Sequence, residues 1–307
     1  MRVAWLFLLS SLVLSPPVPA QVQPAVLEKK VDNAVRFAMG RTKARGLALA
    51  LIENGQPTLV RAWGDRNASG SPLTPQTVMY GASLTKAVFA YTIMQLVEEG
   101  RLDLDRSIAE YLPRPLPDYG SPDSYGDWAG LAGDERWRAI TPRMLLTHSA
   151  GFSNFHWDEP DERLRIHFAP GSRYAYSGEG MILLQFVLEE GLGLSLGEEM
   201  QRRVFTPLGM SNTSMTWRPD FARNLADRWR ADGSVEPHDE RSRVRAAGSM
   251  DTTIEDFARF AAAFIRGVGL SAPNSPALVS PSPAVLNSRA STPRHRRPIV
   301  GHSLLRD

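Results

Sequence analysis

Apolar residues recur at helical spacing over residues 25–40, where Val26, Leu27, Val31, Ala34, Val35 and Phe37 predict an amphipathic helix. The pattern then changes to short apolar runs, Gly46–Ile52 and Pro57–Trp63. Asn54-Gly55 lies between them, and both residues accept positive φ, so a β-hairpin is expected. The Gly-, Ser- and Pro-rich stretch Asn67–Pro75 reads as a loop. Helical periodicity returns over Ser83–Glu99. Val88, Phe89, Tyr91, Thr92, Leu96 and Val97 are expected to pack there, and Gly100 stands at the C-cap. Residues 113–140 are rich in Pro, Gly, Asp and Trp with little period and predict an irregular surface excursion. Thr141–Thr147, Met181–Glu190 and Thr253–Arg266 are predicted helices, the last capped by Thr252 or Thr253 with Asp256 in its first turn. Strand signals gather near the N-terminus and helices fill the middle, which predicts an α+β layout with a helical insertion instead of βαβ winding.

The two ends differ from this body. Residues 1–20 carry Arg2, an apolar run from Val3 to Leu14, then Pro16, Pro17 and the small-residue end Val18-Pro19-Ala20. That is the layout of a secretory signal peptide, with cleavage expected after Ala20 and a periplasmic or secreted location; an uncleaved anchor is the alternative, but the run is short for a bilayer span. Residues 21–270 read as the globular domain. From Ser271 to Asp307 the chain is dominated by Pro, Ser, Ala and Arg, and this tail is expected to be disordered or a non-native continuation, as after a frameshift.

Composition narrows the chemistry. The formal charge of +2 comes without a basic stripe, so no nucleic-acid partner is expected, and no stable membrane insertion is expected after signal cleavage. With no cysteine there is no thiolate nucleophile and no Cys-ligated zinc. The six histidines form no H-E-x-x-H pair, so neither a metal nor another cofactor is expected.

The tetrapeptide Ser83-Leu84-Thr85-Lys86 opens a predicted helix, where residues three apart share a face and the helix dipole favours negative charge on a hydroxyl. A serine needs a group that takes its proton. A lysine can do so once burial or a neighbouring cation lowers its pKa, and Met79, Ala82, Ala87 and Val88 supply apolar surroundings. Lysine is scarce here: only Lys29, Lys30, Lys43 and Lys86 stand against 31 arginines, so one deprotonatable ammonium lies beyond the N-terminal region. Taken alone, S-x-x-K is equally compatible with a chance tetrapeptide and a snorkelling surface lysine.

Further landmarks follow in order. Gly81-Ala82-Ser83-Leu84-Thr85-Lys86 precedes Gly100-Arg101-Leu102-Asp103-Leu104-Asp105 and Tyr111-Leu112-Pro113. Ile140-Thr141-Pro142-Arg143-Met144-Leu145-Leu146-Thr147-His148-Ser149-Ala150-Gly151 comes next, and Pro170-Gly171 leads to Tyr174-Ala175-Tyr176-Ser177. Pro207-Leu208-Gly209-Met210 and Ala247-Gly248-Ser249-Met250-Asp251-Thr252-Thr253 complete the series. With these landmarks the sequence resembles the β-lactamase and penicillin-binding-protein superfamily, in the branch of class C β-lactamases, D-alanyl-D-alanine carboxypeptidases and related esterases. The resemblance implies a β-lactamase/transpeptidase-like fold, an antiparallel sheet flanked by helices plus a helical subdomain. It also implies that Tyr176, with Tyr174 as the second reading, shares acid and base work with Lys86 at a Ser83 nucleophile whose backbone N–H is one oxyanion donor.

Two departures from the family pattern stand out. The family often has an asparagine two residues after the tyrosine, where its amide contacts lysine and substrate; here the position is Gly178, followed by Glu179. Glu179 is a candidate substitute for that substrate contact, with a solvated surface carboxylate as the plainer expectation. The family also carries a Lys- or His-x-Gly motif on a late strand; none follows Arg266, and Gly301-His302-Ser303 is only a superficial likeness, so the C-terminal strands are expected to be missing. The implied activity is acyl transfer to water on small esters, D-amino-acid peptides or β-lactams, including peptidoglycan-type substrates, with β-lactams ranked below the others because of Gly178. The alternative is a catalytically inactive relative acting as a binding protein. An α/β-hydrolase is a third, disfavoured option.

Overall fold

The computed structural model describes residues 24–123 and 125–271, which fall into two compact units dividing after Arg45. The expected signal peptide, nearly all of the expected tail, and Gly301-His302-Ser303 lie outside the described residues. The first unit contributes the predicted helix α1 (Pro24–Thr42).

The second unit opens with the predicted hairpin. Strands β1 (Gly46–Glu53) and β2 (Gln56–Gly64) pair antiparallel, with Leu47 opposite Trp63 and Ala50 opposite Val60. Asn54 and Gly55 both take positive φ, 52° and 71°, as a two-residue turn that matches strand twist requires. No third strand joins this pair among the described residues. Two further two-residue pairs complete the strand inventory of the described residues: β3 (Met79–Tyr80) with β6 (Asp251–Thr252), and β4 (Arg228–Trp229) with β5 (Val235–Glu236).

Helix α2 (Thr85–Glu98) forms the centre of the core. Val88, Phe89, Ile93 and Leu96 are fully buried, and Gly100 follows with φ 68° where the chain turns away. Against the same cluster lie Leu145 of α3 (Pro142–Leu146) and Leu183, Leu184 and Phe186 of α4 (Gly178–Phe186). Helix α4 is buried along its whole length and widens into a π turn over Val187–Gly191. Helix α5 (Leu196–Met200), continued by a π turn to Phe205, has no counterpart among the predicted elements, although Leu196, Met200 and Val204 stand four apart and are fully buried. Helix α6 (Ile254–Arg266) begins at Thr253, whose hydroxyl accepts the Asp256 N–H, so Thr253 and not Thr252 is the cap. It packs on β1 and β2.

Residues 113–140 are irregular, as their composition predicts, but they do not form a surface excursion. Leu116, Trp128 and Leu131 are fully buried and Trp137 is nearly so, each on a short 3-10 turn. Large apolar side chains anchor the segment by burial, worth ~1.5–3 kcal/mol each, without needing a periodic backbone.

The hairpin turn provides the first test. A Cβ on Gly55 would sit 2.6 Å from Arg266 Cγ in addition to requiring positive φ. Gly55→Ala is expected to lower the urea unfolding free energy by ~1–2 kcal/mol; a midpoint unchanged from wild type would refute that reading of the turn.

Candidate active site

Ser83 is held by the meeting of two backbones. Gly81 N–H donates to Met250 O at 2.8 Å, and a Cβ on Gly81 would lie 2.9 Å from that same oxygen, so the approach needs a glycine. Thr85 Oγ1 donates to Ala82 O at 2.6 Å and accepts from Met250 N at 3.2 Å, tying the first turn of α2 to the segment entering β6. Between these ties Ala82 takes φ 44°, a left-handed conformation that costs a non-glycine residue ~1–3 kcal/mol. The turn leaves Ser83 exposed at the N-terminal end of α2.

Lys86, one turn further, is 8% exposed. Its Nζ donates to Ser83 Oγ at 3.0 Å and to the Ala247 carbonyl at 2.5 Å. The ammonium also lies 5.1 Å from the ring centroid of Tyr176, whose hydroxyl donates to Ser83 Oγ at 2.8 Å. The structure thus brings Ser83, Lys86 and Tyr176 together. Tyr174 has no bond to Ser83; it presents its ring edge-on to His148.

His148 holds the loop that bears Tyr176. Its carbonyl accepts Ala175 N–H at 2.8 Å, its Nδ1 accepts Ser177 N–H at 3.2 Å, and its ring lies 4.6 Å from that of Tyr176. With Nδ1 accepting, the neutral ring carries its proton on Nε2. Burial first, then the Lys86 charge, pushes the His148 pKa down to about 4, so the imidazole beside the ammonium is uncharged at neutral pH. Sequence reasoning did not single out His148, which stood only within the string Thr147-His148-Ser149-Ala150-Gly151.

Burial alone would raise the Tyr176 phenol; hydrogen bonding with Lys86 and Ser83 and the charge of Lys86 outweigh it and hold the pKa below the ordinary value. Within the β3–β6 pair, Asp251 of β6 is fully buried with Arg241 Nη2 at 2.6 Å, and burial raises its carboxyl to about 6. Among the described residues no cluster of three His, Asp or Glu side chains suits a metal ion.

The sequence model of the Beta-lactamase family matches residues 31–300. The chain belongs to this family. It is 29% identical over 225 residues to a lovastatin esterase of Penicillium rubens, covering 64% of this chain and 56% of that one. To the D-alanyl-D-alanine-carboxypeptidase/endopeptidase AmpH of Escherichia coli it is 26% identical over 211 residues, covering 66% and 54%. The chain therefore spans about half the length of these relatives. In fold it is similar to the D-alanine carboxypeptidase AmpC from Burkholderia cenocepacia, with a TM-score of 0.66 at 21% identity over 83% of this chain and 69% of that one. The octameric penicillin-binding protein homologue from Pyrococcus abyssi superposes at a TM-score of 0.63 and 23% identity, over 81% and 59%.

Within this β-lactamase fold the first departure, Gly178 followed by Glu179, has a definite place. Gly178 begins α4, its N–H on Asn154 Oδ1 at 2.9 Å, and the direction its Cβ would take is filled by the ring of Phe155. Glu179 is not the solvated carboxylate expected. It is fully buried, with its backbone N–H on Asn154 O at 2.8 Å and its carboxylate accepting His156 N–H at 3.1 Å and facing His156 Nδ1 at 3.2 Å. A carboxylate cannot stay in such a place unpaired, and His156 supplies the partner.

That pair sets a pH dependence. Burial lowers the His156 pKa, but Glu179, through its hydrogen bond and charge, overcomes this and raises it above 6.5. A histidine whose folded pKa is raised adds stability that is fully present below its unfolded value and lost as pH rises through the folded one. The urea midpoint is therefore expected to fall between about pH 6 and pH 9 more steeply in wild type than in Glu179→Gln; parallel curves would refute the coupling.

Proposed function

We propose that the chain is a serine hydrolase that works through an acyl-enzyme on Ser83. The observation that carries this reading is the position of Ser83 Oγ, 3.0 Å from Lys86 Nζ and 2.8 Å from Tyr176 OH on an otherwise exposed hydroxyl. In acylation, Oγ attacks the substrate carbonyl while its proton passes to the basic member of the Lys86–Tyr176 pair. The same proton then goes to the leaving alcohol or amine as the carbonyl bond to it breaks. Deacylation repeats the steps with water as nucleophile and returns the proton to Ser83. The lowered phenol pKa of Tyr176 supports its deprotonated form as base, with Lys86 holding the charge beside it. The backbone N–H of Ser83, at the positive end of α2, is the proposed oxyanion donor.

The substrate class follows from chemistry and from what the relatives' names describe: an esterase, a carboxypeptidase/endopeptidase and D-aminopeptidases. Small esters and D-amino-acid peptides, including peptidoglycan-type substrates, rank above β-lactams, because Gly178 offers no side-chain amide to a substrate amide. Residues 21–270 are proposed as the hydrolase domain. The pattern of residues 1–20 supports export, to a periplasmic or secreted location. Among the described residues no single helix is long and apolar enough to cross a membrane.

Labelling with a fluorophosphonate or a fluorescent penicillin tests the nucleophile. Wild type is expected to be labelled and Ser83→Ala not; a folded wild-type protein that stays unlabelled points instead to an inactive, binding relative. Tyr176→Phe is expected to lower kcat/KM on p-nitrophenyl acetate ~10²–10⁴-fold. The rate should rise with pH and level off below 10.0, because a depressed phenol pKa populates the base at lower pH. A profile still climbing at pH 10 would remove Tyr176 from that role.

A further inference from the structure

Exposed large apolar side chains are few from residue 46 onward among the described residues: of the seven, Leu84, Tyr174 and Tyr176 belong to the segments that carry Ser83 and Tyr176, and a fourth is Trp157. Leu84 directly follows the serine and is 49% exposed. Trp157, 39% exposed, stacks face to face on Phe155 with centroids 4.4 Å apart and planes 11° apart. The Phe155 ring fills the space that a side chain at position 178 would enter, two residues from the tyrosine that bonds Ser83 Oγ. The stacked rings therefore occupy the place of the missing side chain at position 178.

The segment carrying these rings is fastened at several points. His156, between them, is bound to buried Glu179 through its N–H and ring. Phe155 N–H donates to Asp158 Oδ2 at 3.1 Å. Burying a carboxylate to pin a residue whose neighbour is a solvent-facing tryptophan makes poor sense for stability alone, since an exposed indole contributes little burial. It makes sense for recognition, because a rigid aromatic face loses little entropy when a flat or apolar group settles on it.

Resting on the hydrolase reading, we infer that Phe155 and Trp157 form a substrate-selecting wall that favours esters bearing an aromatic or long apolar substituent beside the scissile bond. The shared chemistry is an apolar group; it belongs either to the acyl half or to the alcohol half of the ester.

Rates on ethyl acetate, ethyl phenylacetate and 2-phenylethyl acetate, followed by titration of released acid and referred to Ser83 sites counted with a fluorophosphonate, test this and separate the two halves. At least one phenyl ester is expected to exceed ethyl acetate in kcat/KM by about tenfold or more, the size that one apolar group commands in a pocket. Trp157→Ala should bring that ratio to within about threefold of unity and Trp157→Phe should restore most of it. Phe155→Leu, which keeps apolar bulk under the indole, should lower the ratio to an intermediate value. A wild type without preference, or a Trp157→Ala variant that keeps it, overturns the inference while leaving labelled Ser83 and the hydrolase reading intact. An unlabelled wild type sinks the hydrolase reading first and the inference with it.

Discussion

Holding the Lys86 ammonium almost out of water, 3.0 Å from Ser83 Oγ, imposes conditions on several distant segments. A charge in that position needs polar partners or the fold loses several kcal/mol. The Ala247 carbonyl, 161 residues away in sequence, supplies one, and that carbonyl is aimed by the chain entering β6. The Tyr176 ring supplies a second, softer contact. The neighbouring His148 must then stay neutral, because two cations packed together would repel, and burial together with the Lys86 charge ensures it. Core packing of α2, the β3–β6 pairing and the loop bearing Tyr176 are thus parts of one electrostatic arrangement.

The same site concentrates backbone strain. Ala82 and His148 are two of the five described non-glycine residues with positive φ, and they stand immediately before Ser83 and beneath Tyr176. Each costs ~1–3 kcal/mol and persists only where surrounding bonds over-determine the conformation. Those bonds are on hand: Thr85 Oγ1 and the Gly81–Met250 bond around Ala82, and the Ala175 and Ser177 amides around His148. The fold offsets strain elsewhere to fix the direction of two hydroxyls.

Features set by local rules were legible in the sequence. The Asn54-Gly55 turn, the period of α2 and the Thr253 cap each depend on a few adjacent residues, and the Ser83–Lys86 approach follows from one helical turn. Choosing Tyr176 over Tyr174 needed the resemblance; of the two, Tyr176 is the one whose hydroxyl bonds Ser83 Oγ. Features that depend on distant partners were not legible. Glu179 looks like an ordinary first-turn acid of α4, but it is buried, and its partner is His156, 23 residues earlier. Residues 113–140 lack period because their buried tryptophans sit on isolated turns, and α5 was missed because its apolar residues are separated by charged ones.

Gly178 shows how one missing side chain reorganises its surroundings. A side chain there would collide with Phe155, and one at Gly126 would collide with the Glu179 carboxylate, so both glycines are needed where they stand. One makes room for the Phe155 ring and the other for the buried acid that pins that ring's neighbour. Restoring an amide at 178 alone would therefore not restore an amide contact: it would push Phe155 off Trp157 while leaving Glu179 tied to His156. The absence of a side chain at this position and the presence of the stacked rings are therefore one structural arrangement, and a substitution that tests either one must reckon with both.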